Sequence, residues 1–259
     1  MNIINFVSCG QVGDLIHQLY VIKCICGKEK AKANLYIAEF SYGLGACGNF
    51  TFDLNKSYED TSELILSQNY INEYKILPRD FQENYINLNK WRDRTPFKTW
   101  TELLSEYFNF DISQEYKWMI IEKIDDNVKD KILIHNSNKR HNEQFNWGSL
   151  LDSIDEDVYF LTTSVDEYNA FRFKGHNKVK LYLVKNVNDM AIAINSCRLF
   201  IGNQSLPFAI ASSLDILRIC ELHSSSSEFY TGEHKYSEKI SWFLNTNNKH
   251  NSNLINIQI

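Results

Sequence analysis

The sequence predicts an α/β protein whose strands form parallel, doubly wound sheets. Short apolar runs alternate with stretches of helical spacing, most regularly after residue 131. Hydrophobic residues make up 44% of the chain and charged residues 23%, which is the composition of a protein with a folded core. The 10 Gly and 3 Pro offer few tight turns for an all-β sandwich. A chain of 259 residues is long enough for two compact units of about 130 residues each.

The first half contains three predicted strands and three predicted helices. An apolar run ends at Cys9 and Gly10, and the residues after it are apolar at helical spacing. Pro78 closes the third strand, because the residue before a proline favours extended backbone. We expect a Gly-rich loop at 41–49 and an irregular polar stretch at 79–95. The expected elements are strands at 3–8, 34–40 and 74–77, and helices at 13–25, 58–68 and 98–108.

The second half is a stricter alternation of strands and helices. The charged stretch 125–131 precedes it, so we predict one domain over 1–127 and a second over 128–259. The Asn-rich tail 245–259 is predicted to be frayed or a short cap. The expected elements are strands at 131–137, 158–163, 179–184, 198–203 and 216–222, and helices at 145–154, 165–173, 188–196 and 206–214.

Charge and composition exclude several classes of function. The net charge is −5 and the pI is near 5.8, so no general positive field attracts nucleic acid. No apolar run approaches the roughly 20 residues of a membrane span, and the first residues lack the pattern of a signal peptide. The six cysteines include no C-x-x-C pair and the histidines no metal-binding spacing, so we expect buried free thiols and no metal site. We expect a cytoplasmic protein.

The turn after the first strand is the first candidate site. In open α/β sheets, ligands bind at the carboxyl ends of strands, where helices begin. Gly10 and Gly13 permit a ligand to approach the backbone closely, and Asp14 lies near the helix start. Two interpretations of Asp14 stay open: a general base, or an ordinary acidic residue of a first helical turn. The spacing lacks the third glycine of a dinucleotide fingerprint, so it does not predict a nicotinamide or flavin cofactor.

The turn after the strand at 198–203 is the second candidate site. Ser205 is a plausible N-cap, and Pro207 lies in the first helical turn, where its missing N–H costs nothing. The backbone N–H groups of this turn could bind an anion, or the turn could be an ordinary capped helix start. Glu221 ends the next strand, where it could accept hydrogen bonds from ribose hydroxyls or face solvent.

Three segments resemble motifs of one enzyme family. GDLIHQLYVIK, at 13–23, is similar to the first motif of the ADP-heptose:lipopolysaccharide heptosyltransferases, which are GT-B glycosyltransferases. LFIGNQSLPFAIASSL, at 199–214, resembles the donor-binding motif of that family. HNSNKRHNEQFNWGSLL, at 135–151, is similar to a segment in which a basic residue precedes a tryptophan by seven positions, here Arg140 and Trp147. The three occur in the order and spacing of the family.

The resemblance implies a fold, a mechanism and site residues. The fold is a pair of Rossmann-like domains that face each other across a cleft, with the acceptor bound mainly by the first and the nucleotide-sugar by the second. Asp14 matches the acidic residue proposed as general base, and Arg140 stands where the family has a lysine that contacts donor phosphate. Asn203, Gln204 and Ser205 coincide with the loop whose backbone holds the diphosphate. No metal is then needed, because backbone donors and a fixed cation stabilise the leaving group.

These features predict a metal-independent glycosyltransferase that moves a sugar from a nucleoside-diphosphate donor to a carbohydrate or glycoconjugate acceptor. The chain departs from the family at three positions: Gln204 stands for an aspartate, Leu206 for a glycine and Ala209 for a histidine. The alternative is therefore a non-catalytic nucleotide- or sugar-binding module on a decayed GT-B scaffold. Sugar-nucleotide hydrolysis or epimerisation is a third possibility.

Overall fold

The computed structural model describes residues 2–9, 11–38, 53–90, 100–110, 117–137, 141–142, 145–221 and 240–243. Within these residues the chain forms seven α-helices and ten β-strands. The helices are α1 (Val12–Glu29), α2 (Leu54–Leu66), α3 (Trp100–Phe108), α4 (Trp147–Asp152), α5 (Val165–Phe173), α6 (Val187–Ser196) and α7 (Leu206–Ser213). The strands are β1 (Asn2–Ser8), β2 (Ala31–Ile37), β3 (Ile71–Ile76), β4 (Ile86–Asn87), β5 (Ile132–His135), β6 (Val158–Thr162), β7 (Lys180–Leu183), β8 (Leu199–Asn203), β9 (Arg218–Glu221) and β10 (Ile240–Phe243).

The first sheet is parallel and has the strand order β3-β2-β1-β4. Strand β1 pairs with β2 along its whole length and with β4 at Phe6 and Val7. The chain first extends the sheet on one side of β1 and then returns to its other side. The strand order therefore reverses between β1 and β4, which is where ligands bind in sheets of this kind.

The second sheet is also parallel, with the order β10-β9-β8-β5-β6-β7. Counted from β5, this is the order 6-5-4-1-2-3 of a Rossmann sheet, with its reversal point between β5 and β8. Helices α4 and α5 contribute Leu151 and Phe171 to a core cluster separate from the one that contains α6 and α7. The predicted α/β class with parallel, doubly wound sheets is confirmed.

Several boundaries differ from the predicted ones for local reasons. Helix α2 begins at Leu54, four residues before the predicted start, because the Asp53 carboxylate caps it by accepting from the N–H groups of Asn55 (2.9 Å) and Lys56 (3.1 Å). Strand β4 lies inside the stretch predicted to be irregular, since two residues are too few to produce a periodic pattern. Strand β10 was not predicted, and the tail 245–259 lies outside the described residues.

One hydrophobic core joins the two halves of the chain. Helix α1, which follows the first strand, packs against α7, which follows the eighth, and Leu19 and Phe208 belong to the same buried cluster. Burial of apolar side chains is the main stabilising contribution to a contact of this kind. The two halves are therefore held together by packed side chains.

The connecting segment 117–131 adds hydrogen bonds to both halves. The Trp118 indole N–H donates to the carbonyl of Ile16 on α1 (2.8 Å), and the backbone N–H of Trp118 donates to the carbonyl of Ser213 on α7 (3.0 Å). The Asn195 side chain on α6 donates to the Ile121 carbonyl (3.1 Å). This segment contains the predicted boundary at 127/128, which stays a prediction. In the described part of the chain, no helix is both long and apolar enough to span a bilayer.

Candidate functional site

The reversal point of the second sheet brings two polar residues together. Asn203, at the end of β8, accepts a hydrogen bond from the Ser137 backbone N–H (3.2 Å) and donates one to the Ser137 carbonyl (3.0 Å). Ser137 follows β5 by two residues, so the amide of Asn203 satisfies the backbone where β5 leaves the sheet. Gly202 permits this approach, because a Cβ there would lie 2.9 Å from the carbonyl oxygen of His135. The turns after β5 and β8 are thus bonded to each other.

Glu221, at the end of β9, is buried and binds the same region. Its Oε2 accepts hydrogen bonds from the Asn136 side chain and from the Trp147 indole N–H (3.0 Å). Its Oε1 accepts from the backbone N–H of Asn142 (2.8 Å) and lies 3.6 Å from Nδ1 of His141. Only 1% of Glu221 is exposed, so the interpretation that it faces solvent is wrong. Its predicted contact with ribose is untested.

Helix α7 begins shortly after β8 ends, so its amino end lies at the same reversal point of the sheet. Ser205 is the N-cap residue, as predicted, but its hydroxyl donates to the Asn203 carbonyl (3.2 Å) and makes no capping hydrogen bond to the helix. Pro207 lies in the first turn, as predicted. Gln204 is buried at the turn itself. A helix start without a side-chain cap leaves its first N–H groups to water or to a ligand, and its dipole favours an anion.

The start of α1 is the corresponding point in the first sheet. Gln11 is the N-cap residue, and its side chain makes no capping hydrogen bond. Asp14 lies in the first turn and is 8% exposed. A Cβ added to Gly13 would meet no atom of the described residues within 4 Å, so the space beside this glycine is open with respect to them. Two of the predicted site residues, Gly13 and Asp14, therefore lie together at this helix start, and the Asp14 carboxylate is nearly buried.

Sequence analysis missed a buried amide pair beside this turn. Asn89 Oδ1 accepts from the backbone N–H of Cys9 (3.3 Å) and from the Gln18 side chain (3.2 Å), and all three residues are fully buried. Among the described residues, Asn89 Nδ2 and Gln18 Oε1 have no hydrogen-bond partner. Such unsatisfied groups are uncommon in folded proteins. The strand before Asn89 has two residues, so the sequence contained no signal that placed this asparagine at the reversal point.

His135 is a buried neutral residue behind the second turn. Its Nδ1 lies 2.8 Å from the carbonyl oxygen of Leu161, so this nitrogen carries the proton when the ring is neutral. Burial lowers the pKa of His135 below its usual value. The described residues contain no group of three or more His, Cys, Asp or Glu side chains that could hold a metal ion.

Most of the described cysteines, as well as Trp118 and Trp147, are buried. Cys26, Cys197 and Cys220 are buried free thiols, as expected, whereas Cys9 is buried and Cys24 is half-buried. Burial raises the pKa of Cys26 to about 11 and that of Cys197 to about 12, which makes both thiols poor nucleophiles. Trp118 and Trp147 are buried in the two core clusters.

Two predicted site residues, Gly10 and Arg140, lie outside the described residues. Arg140 directly precedes His141, which is next to the Glu221 carboxylate. Gly13 and Asp14 lie at the start of α1, whereas Asn203, Gln204, Ser205 and Glu221 lie at the ends of β8 and β9. The two sets are joined by the packing of α1 against α7.

The chain has two parallel sheets, each with a reversal point and a helix start beside it, and its fold is similar to that of GT-B glycosyltransferases. The chain is similar to E. coli heptosyltransferase WaaC with ADP-2-deoxy-2-fluoro heptose, with a TM-score of 0.51, 10% identity and coverage of 94% of this chain and 93% of that one. It is also similar to E. coli ADP-heptose LPS heptosyltransferase II, with a TM-score of 0.52, 10% identity and coverage of 95% and 91%. No protein-family model and no curated protein matches the sequence.

A third similar structure is a larger protein. The iron-containing dodecameric glycosyltransferase TibC from enterotoxigenic E. coli H10407 matches with a TM-score of 0.56 and 10% identity, over 94% of this chain and 63% of that one. At these identities the likeness shows the fold. The predicted resemblance of this chain to the heptosyltransferases is thereby confirmed at the level of fold.

Proposed function

We propose that the chain is a glycosyltransferase that moves a sugar from a nucleoside-diphosphate-sugar to a carbohydrate or glycoconjugate acceptor, without a metal ion. The observation that carries this proposal is the reciprocal hydrogen bonding of Asn203 with the backbone of Ser137. It bonds the start of α7 to the segment that contains Arg140, at the reversal point where such sheets bind nucleotides. The likeness in fold to heptosyltransferases supports the same activity.

The donor phosphates are proposed to bind at the start of α7. The backbone N–H of Leu206 donates to a phosphate oxygen, and the helix dipole favours the negative charge. The Ser205 N–H already donates to the Asn203 carbonyl (2.7 Å), and Pro207 has no N–H. The guanidinium of Arg140 forms a bidentate contact with the diphosphate. By these contacts the two groups stabilise the charge that develops on the leaving nucleoside diphosphate, as a metal ion does in other enzymes.

The acceptor is proposed to bind at the start of α1. The Asp14 carboxylate takes the proton of the acceptor hydroxyl, whose oxygen forms a bond to the anomeric carbon as the bond from that carbon to the donor phosphate breaks. Gly10 and Gly13 admit the acceptor close to the backbone, which the open space beside Gly13 supports. Gln11 Oε1, a buried oxygen without a partner among the described residues, is available to a sugar hydroxyl at this turn.

The donor, the acceptor and the compartment belong to the same proposal. The WaaC and TibC structures are described with ADP-linked heptoses, so an adenosine diphosphate sugar is the first donor to test. Leu206 stands where the resemblance expects glycine and is half-buried at the turn, which favours a donor that differs from ADP-heptose near the phosphates. We propose that the protein acts in the cytoplasm.

Isothermal titration calorimetry with ADP, UDP, GDP, CDP and dTDP tests the donor site. We expect one nucleoside diphosphate to bind, and Arg140→Ala to weaken its binding about tenfold or more, because hydrogen bonds to charged groups are lost. Arg198→Ala is the matched control, since its guanidinium pairs with Glu156 next to the amino end of β8. Equal affinities of the Arg140→Ala and Arg198→Ala proteins would remove Arg140 from the site.

A second candidate function is nucleotide or sugar binding without catalysis. The replacement of aspartate, glycine and histidine by Gln204, Leu206 and Ala209 at the donor motif favours it. Incubation with the sugar derivatives of the bound nucleotide, with and without a mixture of glycan acceptors, separates the two candidates. Transfer only in the presence of acceptor supports the enzyme, binding without any product supports the module, and product without acceptor supports hydrolysis or epimerisation.

A further inference from the structure

We propose that Glu221 is a positioning residue whose carboxylate holds both ends of segment 136–142, the segment that contains Arg140. The inference rests on the proposed function only for the role of Arg140 in phosphate binding. The hydrogen bonds that fix the two ends belong to the folded chain itself.

The donors around Glu221 come from both ends of the segment and from the helix that follows. Asn136 stands at the start of the segment and donates its side-chain N–H to Oε2. Asn142 stands at its end and donates its backbone N–H to Oε1 at 2.8 Å. The Trp147 indole N–H, at the first residue of α4, donates to Oε2 at 3.0 Å. One side chain from β9 thereby joins the entrance and the exit of the segment.

The carboxylate is occupied by these contacts. A carboxylate has about four acceptor positions, and three of those on Glu221 are filled by Asn136, Asn142 and Trp147. The His141 ring lies beside Oε1 at 3.6 Å. Direct binding of ribose would have only the fourth position, next to the His141 ring, whereas positioning uses the three hydrogen bonds as they are. The structure therefore favours positioning over direct contact with ribose.

Burial makes the negative charge of Glu221 important for these bonds. With 1% of the residue exposed, the carboxylate depends on its protein donors because water does not solvate it. Hydrogen bonds to an ionised acceptor are roughly twice as strong as those between neutral groups. A glutamine has nearly the same shape, but its amide N–H₂ would face N–H donors and lose at least one of the three bonds. Glu221→Gln therefore tests the charge without creating a cavity.

The same geometry explains the tryptophan seven positions after Arg140. Trp147 packs edge-on against Phe171, with ring centroids 5.2 Å apart, and contacts Phe145 at 5.0 Å. Its indole N–H is thus directed at Glu221 by a rigid aromatic environment. Trp147 therefore helps to hold Oε2 of the Glu221 carboxylate in place.

Amide hydrogen exchange of the full chain tests the positioning without any ligand. In Glu221→Gln we expect the protection of the Asn142 backbone N–H and of the Trp147 indole N–H to fall about tenfold or more, while β5 amides such as Leu133 keep theirs. Glu156→Gln is the matched control, because its partner Arg198 is outside the segment. Unchanged protection of both the Asn142 backbone N–H and the Trp147 indole N–H overturns the proposal. If Glu221→Gln does not fold, Trp147→Phe, which keeps an aromatic side chain but removes the indole N–H, is expected to lower Asn142 protection, and unchanged protection overturns the proposal.

A double-mutant cycle with the nucleoside diphosphate that the native chain binds tests the link to Arg140. We expect Glu221→Gln to weaken binding about tenfold in the native background, and less than about twofold in the Arg140→Ala background, since residues that act through one another are not additive. Glu221→Asp, which keeps the charge, is expected to retain part of the affinity. Equal losses in the two backgrounds overturn the route through Arg140. If the native chain binds no nucleoside diphosphate, the proposed donor site is refuted, and hydrogen exchange alone decides the positioning.

Discussion

Asn203 and Ser137 are 66 positions apart in the sequence. The Asn203 side chain nevertheless makes two hydrogen bonds with the Ser137 backbone, accepting one and donating the other. The pairing extends the contact of β8 with β5 beyond the last ladder positions, His135 and Gly202. It joins the turn that begins α7 to the segment that contains Arg140. The proposed phosphate site therefore depends on a contact between two halves of one Rossmann sheet.

Replacement of Asn203 tests the structural importance of this pairing. Asn203→Ala leaves the half-buried N–H and carbonyl of Ser137 without these partners, so we expect the free energy of unfolding to fall by about 1–3 kcal/mol. Urea denaturation measures this change. Asn72→Ala is the control. The Asn72 side chain also donates a hydrogen bond, to Asn34, but at an exposed position, so we expect the free energy of unfolding to fall by less than about 0.5 kcal/mol. Similar losses in the two variants would contradict the importance of the pair.

Replacement of Asp14 separates catalysis from donor binding. We expect Asp14→Asn to lower kcat about 10²–10⁴-fold, the usual contribution of a general base, with little change in the affinity for the nucleoside diphosphate. Asp166→Asn is the matched control, because Asp166 is an exposed acidic residue in the first turn of α5. Steady-state kinetics and calorimetry are measured on both proteins. An unchanged kcat in Asp14→Asn would leave Asp14 as an ordinary acidic residue of a helix start.

The open space beside Gly13 permits a test that separates activity from stability. Alanine favours helices over glycine by up to about 1 kcal/mol, and a Cβ at Gly13 meets no neighbouring atom of the residues that the structure describes. We therefore expect Gly13→Ala to fold at least as stably as the native chain, yet to lose activity because the methyl group occupies the proposed acceptor position. Gly27→Ala, in the same helix and with the same open surroundings, is expected to keep full activity. Full activity in Gly13→Ala would place the acceptor elsewhere.

The buried His135 predicts a pH dependence of stability. Its pKa is lowered by burial in the folded state, whereas an exposed histidine titrates at about 6.5. As the pH falls through 6.5, the unfolded chain binds a proton that the folded chain does not, so the free energy of unfolding falls. We expect His135→Asn, which keeps a donor toward the Leu161 carbonyl, to reduce the slope between pH 7 and pH 5.

The control for this prediction is the range from pH 8 to pH 9. His135 is neutral there in both the folded and the unfolded chain, so the native protein and His135→Asn should show the same slope. Urea denaturation at each pH gives the free energy of unfolding. An unchanged slope between pH 7 and pH 5 would show that His135 is not the residue responsible.

The class of fold could be predicted because parallel buried strands and amphipathic helices have different periods. The helix that became α7 was predicted at 206–214 from its apolar run and from Pro207, and it lies at Leu206–Ser213. Strands β4 and β10 were not predicted. Strand β4 has two residues and exists because it pairs with β1, so tertiary contact and not local pattern defines it.

The positions of site residues could be predicted better than their contacts. The rule that ligands bind at strand ends placed Asn203 and Glu221 at the correct edge of the sheet. It could not show that both side chains bind segment 136–142, because hydrogen bonds across 66 to 85 positions have no local signature. The burial of Asn89 and Gln18 beside the first turn was missed for the same reason.

A crystal structure of the chain with its tightest nucleoside diphosphate tests the central claim most directly. The account predicts that the diphosphate lies at the amino end of α7, with its oxygens within hydrogen-bond distance of the backbone after Ser205 and of the Arg140 guanidinium. A diphosphate bound away from the reversal point between β5 and β8, or bound there without Arg140, would contradict it.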